Sequence, residues 1–145
     1  MENKEIWNES NRPNLVNSTK LYFQDMFVGA KRMSRADFWW GFFGMTLVAA
    51  VLMGLFGWLV TKMPATDFYW SAVWSIAMIM TLGYYIISIW TASIRRLHDR
   101  NLRGWWILSF VIPIIGEIIM IVLTCLPQRN ENNNWAKFVE DDQYV

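Results

Sequence analysis

Three long apolar runs separated by short polar stretches organise this chain. No Asp, Glu, Lys or Arg occurs from Phe38 to Thr61, from Phe68 to Ile94, or from Gly104 to Gly116, and the last run continues to Leu126 with only Glu117 interrupting it. At about 1.5 Å per residue, the first two would reach about 36 and 40 Å as helices. Each of the three exceeds the roughly 20 residues that cross a hydrocarbon core of about 30 Å, so tilted membrane helices are expected. Lipid offers the backbone no hydrogen-bond partner, which leaves the helix as the reading of such runs. The expected fold class is an all-α membrane protein with three transmembrane helices, over about 38–61, 68–94 and 104–126. They lie in a membrane domain of residues 20–127, between polar tails at 1–19 and 128–145.

The third run carries its own complication. Pro113 and Gly116 sit at its middle, and Glu117 follows directly. Proline inside a helix removes one hydrogen bond and kinks the axis, so a kinked full span is the plain reading. A re-entrant hairpin turning at Ile112-Pro113-Ile114-Ile115-Gly116 is the alternative. Its short arms would need cover from protein rather than lipid.

Ahead of the first span, Tyr22, Phe23, Met26, Phe27 and Ala30 share one face of a 3.6-residue period, with Lys20, Gln24 and Lys31 opposite. This predicts a short amphipathic helix over Lys20–Ala30. It lies either in the headgroup plane or against the protein's own loop. Next, Ser34-Arg35-Ala36-Asp37 has the pattern of a capping box with Ser34 as N-cap, and Met33 and Phe38 fall at the positions of a hydrophobic staple. Trp39 and Trp40 follow at headgroup depth, where indole prefers to sit.

Composition agrees with the pattern. The 145 residues are 54% hydrophobic and 17% aromatic, with ten Trp. An ordinary water-soluble enzyme of this size could not hide three such stretches. Cys125 stands alone, so a disulfide scaffold is excluded, and a net charge of +1 offers no basic field for nucleic acid. The first 19 residues lack an apolar core, so no cleavable signal peptide is expected and the first span would stay as an anchor.

Charge sets the expected orientation. Lys4, Arg12, Lys20, Lys31, Arg32 and Arg35 precede the first span, and Arg95, Arg96, Arg100 and Arg103 lie between the second and third. Those ten mark the cytoplasmic side, with the N-terminus. If all spans cross, Lys62, Arg129 and Lys137 are on the other side. A re-entrant third segment would make the count 12 to 1 and place the C-terminus in the cytoplasm.

The densest polar constellation is Arg95-Arg96-Leu97-His98-Asp99-Arg100, followed by Asn101-Leu102-Arg103-Gly104-Trp105-Trp106. If the second helix continues past Ile94, Arg95, His98 and Asp99 share one face, with Arg96, Arg100 and Arg103 in the neighbouring stripe. Asn101 or Gly104 can end it. Four Arg in nine residues suit a topology-fixing loop, but that duty needs neither His98 nor Asp99. The pair points to a network in which Asp99 holds Arg95 or Arg35 in a bidentate contact. The remaining Arg would grip lipid phosphate beside the Trp105-Trp106 anchor. Catalysis is not expected. His98 is the only His, its neighbour Asp99 cannot easily orient it, and no Ser or Cys completes a nucleophile pair. One His and one Cys give no ordinary zinc site, so neither metal nor cofactor is expected.

Glu117 is the other costly group, because an ionised carboxylate near mid-membrane costs a few kcal/mol. It reads either as a proton or cation stop on a pathway or as a neutral hydrogen-bonded contact. Gly44, Ala49, Ala50, Gly54 and Gly57 in the first span permit close packing within the chain or between copies.

Together these motifs resemble the bacterial membrane family called domain of unknown function 805. The resemblance rests on Arg32-x-Ser34-Arg35-x-Asp37-Phe38-Trp39, Arg95-Arg96-Leu97-His98-Asp99, Gly104-Trp105-Trp106, Ile112-Pro113-x-x-Gly116 and Asn133-x-Trp135. It covers roughly Lys20 to Ala136. The departures are Lys31 where the family usually has Gly, Asp37 for Glu, Arg103 for a small polar residue, and Ala136 for the Gly that closes the tail motif. The resemblance implies a small multi-pass protein of the bacterial cytoplasmic membrane and no particular activity.

The expected function is a non-enzymatic membrane module. Its cytoplasmic cluster of Arg32, Arg35, Arg95, Arg96, His98, Asp99 and Arg103 would bind anionic lipid headgroups or a protein partner in the membrane. The alternative is an oligomeric transport component using Glu117 and Pro113.

Overall fold

The computed structural model of the protein describes residues 7–8, 12–64, 66–129 and 134–136. Lys4, Asn133 and Lys137, which entered the charge count and the tail motif, lie outside the described residues. The element order is β1 (Trp7–Asn8), α1 (Leu15–Gln24), β2 (Arg32–Met33), α2 (Arg35–Lys62) and α3 (Phe68–Asp99). A 3-10 segment (Gly104–Val111), α4 (Ile115–Cys125) and a 3-10 turn (Asn134–Ala136) complete it. The two short strands pair in parallel, Trp7 with Arg32 and Asn8 with Met33.

α2 and α3 are long and apolar enough to cross a membrane, and only 17% and 6% of their most apolar windows is buried. Phe43, Leu47, Val51, Leu55 and Trp58 on α2 face outward, as do Ile76, Ile79, Ile86 and Trp90 on α3. Exposed apolar surface of that extent suits lipid rather than water. The two helices meet over part of their length through Thr46 Oγ1 and the Tyr85 hydroxyl, 3.0 Å apart, and through stacked Phe56 and Trp74.

Local signals set the start of α2. Ser34 is the N-cap, its Oγ accepting from the Asp37 N–H at 3.1 Å, while Asp37 Oδ2 accepts from the Ser34 hydroxyl at 2.8 Å. Met33 and Phe38 are buried in one cluster with Tyr22, as a hydrophobic staple requires.

The helix expected over Lys20–Ala30 forms earlier, at Leu15–Gln24, and so begins inside the stretch read as a polar tail. Asn14 caps it, accepting from the Asn17 N–H at 2.8 Å, which supplies the start signal that the apolar face alone did not. α1 packs on α2. A Cβ at Gly41 would overlap the Tyr22 ring, and one at Gly44 would overlap Thr19 Oγ1. Burial raises the Tyr22 phenol well above its ordinary range, so it remains a neutral donor to the Phe38 carbonyl at 2.7 Å. Of the small residues expected to allow close packing, Gly44 and Ala49 are buried here, while a Cβ at Gly54 or Gly57 would meet nothing within 4 Å.

The third apolar segment departs from a kinked span. Gly104–Val111 winds as a 3-10 helix, Ile112–Ile114 turns, and α4 runs back. The Ile115 N–H donates to the Pro113 carbonyl at 2.7 Å, with Ile114 at φ 66 and ψ −59: a tight γ-turn that L-residues adopt only under strain. Gly116 permits the two arms to close, because a Cβ there would overlap the Ser109 carbonyl. The far end of α4 returns to the end of α3, where the Arg129 N–H donates to the Asp99 carbonyl at 3.2 Å. A full crossing would leave those residues a membrane thickness apart. The segment folds back as a hairpin beside two helices long and apolar enough to cross, so residues 104–126 do not form one continuous helix.

Candidate functional site

α3 continues without a break from its apolar stretch through Arg95-Arg96-Leu97-His98-Asp99, so the constellation is helical rather than a loop. It ends in a Schellman motif. Asn101 takes φ 59, its N–H donates to the His98 carbonyl at 2.9 Å, and the Leu102 N–H donates to the Leu97 carbonyl at 3.0 Å. Leu97 and Leu102 pack together beneath it.

These polar side chains are not a surface. Arg32, Arg95, Arg96, His98 and Asp99 are buried, whereas Arg35 and Arg103 are exposed. Burying five such groups is tolerable only where partners replace water. Asp99 supplies the centre. Its Oδ1 accepts from Arg32 Nε at 3.2 Å and Nη2 at 2.9 Å, and its Oδ2 accepts from Arg96 Nη1. Gln128 adds a side-chain hydrogen bond to the same carboxylate. Further guanidinium donors of the pair meet carbonyls that close helices and loops. Arg96 donates to Thr124 at 3.1 Å, to Met33 at 3.3 Å and to Leu126, and Arg32 donates to Arg129 at 3.3 Å.

The expected Asp99 pairing with Arg95 or Arg35 is thus replaced by pairing with Arg32 and Arg96. Arg95 points the other way, toward α1. Its Nη1 lies 3.9 Å from Asp25 Oδ2 and its guanidinium sits 5.9 Å from the centre of the Tyr22 ring. Asp25 also pairs with Lys31 Nζ at 2.9 Å. His98 lies between the segment before α2 and Trp135. It interacts with the backbone of Gly29 and Lys31, and Trp135 stacks on its ring at 3.5 Å between centroids and 15° between planes.

Sequence reasoning missed Asp25, Ser18 and Thr124 as buried polar members of this end of the protein. Ser18 donates to Asp37 Oδ1 at 2.7 Å, tying α1 to the start of α2. The Asn14 cap signal could have placed Ser18 on a helix; nothing local marks Asp25 or Thr124.

Around the buried network, two exposed Arg sit beside aromatic clefts. Arg103, Trp90, Trp105, Leu108 and Trp135 border one of about 580 Å³. Arg35, Trp39, Trp40 and Phe43 border another of about 210 Å³. Glu117, in the first turn of α4, is exposed and borders a third cleft on the inner side of the hairpin.

A helical membrane protein with a buried Arg–Asp–Arg knot at one end is the class these features define. The chain belongs to the family described as "Protein of unknown function (DUF805)", whose model matches residues 26–137. It is 29% identical to the inner membrane protein YhaH of Escherichia coli K12 over 101 residues, 68% of this chain and 77% of the relative. It is also 30% identical to the inner membrane protein YhaI of the same organism over 61 residues, 42% of this chain and 51% of that relative. No solved structure matches. The protein is accordingly a helical bacterial inner membrane protein of this family.

Proposed function

We propose that the protein is a non-enzymatic module that binds anionic phospholipid headgroups at the cytoplasmic face of the inner membrane. The carrying observation is the pairing of an exposed guanidinium with Trp-lined apolar clefts, once at Arg103 and once at Arg35. A phosphodiester needs a cation with forked donors, and its glycerol and upper acyl carbons need apolar walls; Arg beside Trp at headgroup depth offers both. The buried knot takes a positioning role. Arg32, Arg96 and Asp99 fasten the ends of α3 and α4 and the segment before α2, and so fix where Arg35 and Arg103 emerge. The stacking of His98 under Trp135 supports a structural rather than catalytic use of that imidazole.

In this reading α2 and α3 cross the membrane and the hairpin re-enters. The N-terminus, the α3 end and the C-terminal tail share the cytoplasmic side. Every Lys and Arg of the chain except Lys62 then lies there, which is the distribution that positive-inside topology favours.

Native mass spectrometry of protein extracted from vesicles of mixed phosphatidylglycerol and phosphatidylethanolamine tests the headgroup reading. Wild type should retain phosphatidylglycerol preferentially, and Arg35→Gln with Arg103→Gln should reduce that retention several-fold while leaving the melting temperature nearly unchanged. Equal retention of the two lipids by wild type, or unchanged preference in the double variant, overturns it.

A further inference from the structure

The inner face of the hairpin, the start of α2 and the last turns of α3 enclose a cleft of about 410 Å³ that none of the headgroup chemistry uses. Four aromatic side chains, Phe38, Trp39, Phe42 and Phe110, line it together with aliphatic residues, and Glu117 is its one charged member. No hydrogen bond or ion pair joins Glu117 to any other group among the described residues. Glu117 and its neighbours Ile114, Ile115 and Ile118 are exposed, so in an arm embedded in lipid this carboxylate would be costly without a partner.

Two hydroxyls also border the cleft. Ser93 donates to the Ile89 carbonyl at 2.8 Å and Thr124 to the Ile121 carbonyl at 2.9 Å. Each hydroxyl hydrogen is therefore used within its own helix, and what remains at the oxygens is acceptor capacity. The cleft consequently offers a negative charge, acceptor oxygens and aromatic faces, and no cationic donor of its own. Neither Arg35 nor Arg103 lines it.

We propose that this cleft binds a lipophilic organic ammonium, with its N–H groups toward Glu117 and its apolar body against the aromatic wall. Charge complementarity selects the cation, and ring faces favour an organic cation over a hydrated metal ion. The volume lies within the usual range for small-molecule pockets. Thr124 sits beside the Arg96 knot at the base of the hairpin, while Glu117 is seven residues earlier in α4, about 10 Å along the helix axis toward the hairpin tip. An amphiphilic amine dissolved in the bilayer would thus reach the carboxylate sideways from the lipid. The site is independent of the headgroup reading, and either can fail alone.

Isothermal titration of the full-length protein in a nonionic detergent with 4-phenylbutylammonium tests the proposal, with 4-phenylbutanol as the uncharged counterpart. Saturable binding of the ammonium, at least tenfold tighter than the alcohol, is expected at pH 7. Glu117→Gln should weaken the ammonium at least tenfold and leave the alcohol unchanged. Ile121→Trp, which fills the cleft and spares the carboxylate, should weaken both. Equal affinity for ammonium and alcohol, or undiminished ammonium binding by a folded Glu117→Gln protein, overturns the assignment. Should Glu117→Gln fail to fold, undiminished ammonium binding in Ile121→Trp overturns it equally.

Discussion

Arg32 and Asp99 stand 67 positions apart in the chain and bond at 2.9 Å, both buried, with Arg96 completing the pair from the other carboxylate oxygen. The contact joins the segment before the first long helix to the end of the second. Replacing Asp99 by Asn keeps the shape and leaves two buried guanidiniums without their counter-charge. Breaking a buried pair in this way typically costs about 3–5 kcal/mol. Asp99→Asn should therefore lower the melting temperature in detergent sharply. Arg32→Met should cost less in the Asp99→Asn background than alone, because one orphan cation is removed with it. A purely additive cycle would show that the two side chains are not energetically coupled.

Gly41, Gly44 and Gly116 mark where backbone meets another element, and Gly54, Gly57 and Gly83 do not. A methyl at Gly41 or Gly116 would overlap the Tyr22 ring or the Ser109 carbonyl, whereas one at Gly54 points into open space. Overpacking costs about 1–3 kcal/mol when neighbours cannot yield. Gly116→Ala should be the more damaging of the first two, since it meets backbone rather than a ring. It should expose the hairpin to added protease. Gly54→Ala should be neutral or slightly stabilising, as Ala favours the helix. Equal melting temperatures for all three would contradict the close approaches.

Ile114 holds a positive φ at the hairpin tip, a conformation costing a β-branched residue on the order of 1–3 kcal/mol. The residue is 71% exposed, so little packing is lost on removing its side chain. Ile114→Gly should raise thermal stability by about 1 kcal/mol in unfolding free energy, and Ile114→Val should not. A destabilised Ile114→Gly protein would show that the turn is not strained as described.

The elements that could be read from sequence are those whose signals are local. Charge-free runs gave α2 and most of α3 within a few residues, and Ser34, Asp37, Met33 and Phe38 marked the start of α2 because capping depends on neighbours only. Asn101 was one of two candidates for the end of α3, and it takes the left-handed position. Pro113 and Gly116 are compatible with a kink and with a turn, and the γ-turn at Ile114, the close approach of Gly116 to Ser109 and the return of Arg129 to Asp99 separate them. The site was legible as a set of residues but not as a geometry. Helical spacing brings both Arg95 and Arg96 near Asp99, and the choice between them is made by Arg32 and by the carbonyls of Met33, Thr124 and Leu126. Those partners come from the short strand β2 and the last turn of α4, elements distant in sequence whose approach to α3 no local pattern records. The same segments cover the arginines, which is why charge alone misread them as a surface.

The hairpin makes one consequence for topology concrete. If residues 104–126 re-enter, the C-terminal side of α4 lies with α1, and only the α2–α3 connection lies opposite. In a Cys125→Ser background, single cysteines at Lys20, Thr66 and Asn134 report on the three regions, and all three native side chains are exposed. An impermeant maleimide applied to spheroplasts should label Thr66→Cys and spare Lys20→Cys and Asn134→Cys, with the reverse pattern in inverted vesicles. Positive-inside energetics agree, since Lys62 alone among the cations would face outward. Labelling of Asn134→Cys together with Thr66→Cys would mean that the third segment crosses in the membrane. The bond between Arg129 and Asp99 could not then survive there.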